Sequence, residues 1–77
     1  MDRDYIKKFT DDLNKNFAQN LRYFMNEKGI KQQMLGHEIN VSQRTISAWL
    51  NEESEPAVSK VCLLAEFFNC SIDDLLK

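Results

Sequence analysis

The chain has few of the residues that interrupt regular structure. Two glycines, Gly29 and Gly36, and one proline, Pro56, stand among 77 residues, 29% of which are charged. The composition therefore reads as mostly helical, and no segment alternates apolar and polar residues as a half-buried strand would. Long apolar runs are also missing. Nothing approaches the ~18–20 consecutive apolar residues of a membrane span, and Met1–Lys8 is too charged for a signal peptide. The expectation is a soluble cytoplasmic protein with no membrane partner.

Two cysteines, Cys62 and Cys70, lie eight apart in an otherwise apolar segment. Two are too few for a disulfide scaffold, and with His37 the only histidine there is no ligand set for zinc. Both thiols are expected to be buried or half-buried, with no metal and no cofactor. Catalytic constellations are absent too: no nucleophile–base pair, no carboxylate pair in a plausible cleft and no phosphate loop, so an enzyme is not expected.

What is present is one core. Hydrophobic residues make up 43% of the chain, enough for a single domain, and this length could not build a second. The net charge of −2 is unevenly spread. Residues 1–31 carry seven basic and five acidic side chains, residues 32–50 balance Arg44 with Glu38, and residues 51–77 set Lys60 and Lys77 against six acids. Any anion-binding face must come from the N-terminal two-thirds.

Thr10-Asp11-Asp12 reads as a helix start, a hydroxyl cap followed by acids at the positive end of the dipole. Residues 1–9 are then an N-terminal arm, helical or flexible, ahead of a domain over 10–77. Leu13, Phe17, Leu21, Phe24 and Met25 recur at spacings of three and four, and Gly29 stops the helix. Gln32–Ile39 is a second helix with Leu35 and Ile39 inward. Gly36 inside it costs about 1 kcal/mol relative to alanine, which points to something packed closely against the backbone. Asn40 makes the turn and Ser42 caps a third helix, Gln43–Leu50, with Ile46, Trp49 and Leu50 inward. After the acidic connection Asn51–Pro56, Val58, Val61, Leu64, Ala65 and Phe68 mark a fourth helix that Asn69 ends. Ser71 caps a last short one, with Ile72, Leu75 and Leu76 as apolar contacts. The fold class is all-α, a compact bundle of about five short helices.

Two short helices joined by a tight turn, with a small residue early and an apolar residue deep in each, can lay the second helix in a DNA major groove. Over Asn16 to Leu76 the sequence resembles the lambdoid phage repressor and Cro-type (Xre-like) helix-turn-helix family. The residues carrying the resemblance are Gln32-Gln33-x-Leu35-Gly36-x3-Asn40-Val41-Ser42-x2-Thr45-Ile46-Ser47-x-Trp49, then Pro56 and Leu63-Leu64-Ala65-x3-Asn69-x-Ser71-Ile72-x2-Leu75-Leu76. The resemblance implies a lambda-repressor-like domain whose helices 2 and 3 form the motif. It implies a repressor-type regulator, bacterial or phage-encoded, that binds double-stranded operator DNA as a homodimer.

By position the resemblance makes Gln32 a phosphate grip, with Gln33 beside it and Ser42 at the start of the recognition helix. Gln43 opens that helix, where an amide reads adenine, and Arg44 and Ser47 face outward toward bases or phosphate. Asn51 would bond the backbone. Family members often dimerise through their C-terminal helices, for which Leu75, Leu76, Phe67 and Phe68 are the candidates.

Three departures stand out. Gly36 replaces the usual alanine, and Asn40 and Asn69 replace turn glycines. Met25 and Leu50 occupy positions where many members hold a buried arginine–glutamate pair, so both partners are apolar together. A basic loop after the recognition helix is replaced by Glu52, Glu53 and Glu55. The first two departures fit the fold, whereas the third repels DNA unless those side chains turn away. Lys28, Lys31, Arg44 and the arm would then supply the positive charge. A second reading, a protein-interaction module of antirepressor or antitoxin type on the same fold, stays open on that account. So do two readings of Lys7-Lys8, solvated face or DNA-touching arm, and two of Tyr5, Ile6 and Phe9, packed on the domain or on a second subunit.

Overall fold

The computed structural model describes residues 3–77. Five helices follow in order: α1 (Arg3–Lys28), α2 (Gln32–Ile39), α3 (Gln43–Leu50), α4 (Val58–Phe68) and α5 (Ile72–Leu76). Among the described residues there is no strand, and no helix is long and apolar enough to cross a membrane. The bounds of α2 and α3 agree with the sequence reading.

The start of α1 does not. The helix runs unbroken from Arg3 through Thr10, and the expected start at Thr10 is overturned. Met1 and Asp2 of the expected arm lie outside the described residues. Thr-Asp-Asp caps a helix only where the preceding residues leave it, and nothing in Arg3–Phe9 is a breaker. Threonine in a helix interior costs only a few tenths of a kcal/mol, so propagation overruns the cap signal.

Each helix from α1 to α4 closes on a left-handed residue followed by a reverse backbone bond. Gly29 (φ 68°), Asn40 (φ 59°), Glu52 (φ 60°) and Asn69 (φ 55°) hold the left-handed positions. The next N–H reaches back five residues in each case: Ile30 to Met25 O at 3.0 Å, Val41 to Gly36 O at 2.8 Å, Glu53 to Ala48 O at 2.8 Å and Cys70 to Ala65 O at 2.9 Å. Glycine and asparagine tolerate this conformation, and Ile30, Val41 and Cys70 pack against the core after it. Glu52-Glu53 has neither advantage, which makes the end of α3 the strained exception.

Side chains from elsewhere complete these ends. Lys60 Nζ donates to Ile39 O of α2 at 3.2 Å, Arg22 Nη2 to Leu50 O of α3 at 3.5 Å and Lys28 Nζ to Phe67 O of α4 at 3.3 Å. On α5, Asn20 Nδ2 reaches Leu75 O at 2.9 Å and Asn16 Nδ2 reaches Leu76 O at 3.3 Å. The last carbonyls of a helix lack intrahelical partners and form its negative end, so three cations and two amides serve both needs.

The core takes Phe17, Leu21 and Met25 from α1, Leu35 and Ile39 from α2, Ile46, Trp49 and Leu50 from α3, Val61, Leu64 and Ala65 from α4, and Leu75 from α5. Trp49 meets Phe17 edge-to-face at 5.8 Å between ring centroids, the core role the apolar face of α3 predicts. Several expectations change. Leu75 is fully buried within its own chain and is not available to a dimer seam, while Phe67 and Phe68 are half committed to the core. Cys62 is exposed rather than buried, and Val58 and Ile72 face solvent. Val58 and Ile72 are the first residues of their helices, where a side chain lies at the edge of the packed face.

Candidate nucleic-acid interface

The turn between α2 and α3 sets the geometry of the bihelical unit. A Cβ added to Gly36 would lie 2.6 Å from Val41 O, closer than real Cβ contacts come. The missing side chain lets the chain leaving α2 pass close over it and start α3 after only three residues. Ser42 then caps α3: its Oγ accepts the Thr45 N–H at 3.1 Å and pairs with Thr45 Oγ1 at 2.9 Å. Ile46 and Trp49 anchor the inner face, with Val41 half-buried beside them.

Outward from this frame, Gln43 and Arg44 are exposed on the first turn of α3, and Asn51 is exposed just past its end. Ser47, expected to face outward, is half-buried, one residue along from the inward Ile46. Ser42 is exposed but its hydroxyl is engaged in the cap.

Gln32, Gln33 and Gln43 line one open cleft of about 430 Å³, together with Arg22, Met25, Asn26, Ile30, Lys31 and Leu50. Three of the site residues expected from sequence therefore meet, although eleven positions separate Gln32 from Gln43. Arg22 and Asn26 were not among them, and Lys31 was expected only as a source of positive charge. Arg22 and Asn26 stand four apart on one face of α1, a visible spacing, but nothing in the sequence said which element that face would meet. Lys28, expected to supply charge, is instead held over the Phe67 ring, 4.5 Å from its centroid.

No side chain caps α2. Its N-cap residue is Lys31, which makes no cap hydrogen bond, so the first-turn N–H groups have no side-chain capping acceptor. That end of α2 and the guanidinium of Arg22 give the cleft an anion-attracting rim. The acidic loop does not turn wholly away. Glu52 lines an adjoining cleft with Gln19, Arg22, Tyr23 and Asn26, so one carboxylate borders the same rim.

A family model described as Helix-turn-helix matches residues 21–75, more than half of the chain. The chain belongs to the helix-turn-helix family. Solved structures place relatives of this helix-turn-helix domain among regulators. It is similar to a hypothetical transcription factor, NHTF, from Neisseria, with 25% identity and a TM-score of 0.80 over 88% of this chain and 78% of that one. It is similar to an SOS-response transcriptional repressor, LexA, from Eubacterium rectale, with 28% identity and a TM-score of 0.79 over 84% and 69%. A transcriptional regulator from Listeria innocua is 35% identical, with a TM-score of 0.74 over 78% of this chain and 56% of that one. No curated protein sequence matches. Family and neighbours together support a DNA-binding transcriptional regulator.

Proposed function

We propose that this helix-turn-helix domain is a repressor-type regulator that reads operator DNA by laying α3 in the major groove. The observation that carries the reading is the cleft where Gln32, Gln33 and Gln43 converge with Arg22, Asn26 and Lys31. An amide at the first turn of α3 can pair with an adenine edge, accepting from N6 and donating to N7, and the neighbouring Arg44 can pair with guanine or neutralise phosphate. Gln32, Gln33, Lys31 and the open first turn of α2 serve one phosphate strand. Ser42, Ser47 and Asn51 border the same groove edge. Phosphate contacts set the register and base contacts set the preference, so specificity falls on Gln43 and Arg44 and affinity on the rest.

A fluorescence-polarisation titration on random duplexes at two salt concentrations tests this. Binding should weaken steeply with salt, and Arg44→Ala should reduce it and lower the salt slope by about one. Gln43→Ala should alter the selected sequence, whereas Asn51→Ala should weaken all sites alike. Absence of binding at low salt refutes the proposal. The rival reading, a module that docks a protein partner, draws its support from Glu52 at the rim and the exposed Glu53 and Glu55. It requires a partner bound with Arg44 dispensable.

A further inference from the structure

α1 is longer than the bundle requires. Its 26 residues equal the longest dimension of the molecule, 39 Å, at the ~1.5 Å rise of a helix. From Arg3 to Phe9 every residue is exposed, and Thr10 is the first to be partly covered. On these projecting turns Tyr5 is 60%, Ile6 47% and Phe9 56% exposed. The half-buried Leu13 carries the same stripe on toward the core. Spacings of three and four put the four side chains on one side of the helix, and large apolar groups clustered in water mark a contact surface. The C-terminal alternative is closed in part, because Leu75 already serves the monomer core.

We propose that this face binds a second copy of the chain, as an antiparallel pair of α1 helices whose two-fold axis passes between the levels of Phe9 and Thr10. The order of charges along the helix selects that occupant. Lys8 and Asp12 are exposed, stand one turn apart on the same flank of the stripe, and among the described residues neither takes part in an ion pair within its own chain. In an antiparallel two-fold pair each flank faces its own copy. Lys8 then opposes the second copy's Asp12, and Asp12 opposes the second copy's Lys8. Phe9 meets Phe9 across the axis, and Ile6 meets Leu13. In a parallel pair each flank would face the opposite flank of the second copy, and Lys8 and Asp12 would not meet.

Two to three helical turns bury less than a standard interface, so the dissociation constant expected is on the order of 0.1 mM. The proposal does not rest on DNA binding and is tested without DNA. Sedimentation equilibrium should show the 9.0 kDa chain passing to twice its mass with rising concentration. Lys8→Asp alone and Asp12→Lys alone should each weaken pairing about tenfold, since each sets like charges against one another twice. An equimolar mixture of the two should pair again, because every contact becomes lysine against aspartate. Phe9→Gln should abolish pairing with helix content by circular dichroism unchanged. A chain still monomeric at ~1 mM, a dimer indifferent to Phe9→Gln, or a mixture no stronger than its single variants would overturn the proposal. The first of these outcomes would leave the face to a different protein.

Discussion

Leu50→Glu puts a carboxylate at the C-terminal end of α3, where the native side chain is 7% exposed and shares the core with Met25, 6% exposed. Losing the buried leucine costs about 2 kcal/mol, and an unpaired charge in its place costs about 3–5 kcal/mol. The adjoining cleft admits some water, so a combined loss of about 4 kcal/mol is expected. A domain of this size has roughly 4–12 kcal/mol in all, so the variant should melt at least ~15 °C lower or be unfolded at room temperature. Met25→Arg alone should behave likewise. The pair Met25→Arg with Leu50→Glu restores the charge partner, and the cycle should show a coupling of at least ~2 kcal/mol. Thermal and urea unfolding followed by circular dichroism provide all four corners. The sign with pH is fixed as well. Glutamate at position 50 would have a folded pKa raised above its unfolded value of about 4.3, so the single variant should regain stability as pH falls toward that value. Because Arg22 already donates to Leu50 O at 3.5 Å, its guanidinium lies near enough to donate to the new carboxylate, and the cycle should be repeated with Arg22→Ala. A Leu50→Glu melting point within ~3 °C of the native chain, or strictly additive effects, would show that the two positions do not share one buried environment.

Glu52→Gly should raise stability by about 0.5–1 kcal/mol, because glycine relieves the left-handed backbone at the end of α3; a fall in urea midpoint would show that position to be unstrained. The same variant should bind duplex DNA more tightly at low salt, as one carboxylate leaves the rim of the cleft. Asn20→Ala removes the 2.9 Å amide bond to Leu75 O and should cost about 1 kcal/mol, with hydrogen exchange in α5 speeding up before the rest of the domain. The Cys70 thiol has a pKa raised by burial and, secondarily, by the Asp74 carboxylate, while Cys62 is exposed. Mass spectrometry of alkylated protein at pH 8 should find Cys62 modified first, with Cys70 overtaking only if that order is wrong.

Much of the fold was legible because local chemistry and tertiary demand coincide. Asn40 and Asn69 mark left-handed ends at the places the chain bends, and Ser42 and Ser71 cap as their neighbours require, the latter in a reciprocal box with Asp74. Gly36 announced a close approach, and the structure identifies it as Val41 O. The errors have one source. Thr10 carried a start signal that had no breaker before it, Leu75 was apolar with its partner unknown, and Cys62 lay in an apolar run whose outer face points to water. Exposure is a property of neighbours, and periodicity assigns a face without saying what covers it.

The sequence by itself determined the number and order of the helices but not where α1 starts, together with the inward residues of α3 and the positions of Gln32, Gln43 and Arg44 on a bihelical unit. Those follow from spacings of three and four and from capping residues, which act within a few positions of the chain. Only the tertiary structure decided that Arg22, Asn26 and Lys31 join the glutamines in one cleft, and that Glu52 borders it. The tertiary structure also decided that Lys28 is committed to α4, and that the apolar stripe of α1 continues two turns beyond anything in its own chain to cover it. Each depends on the angle at which helices cross, and that angle is set by core packing among residues distant in sequence.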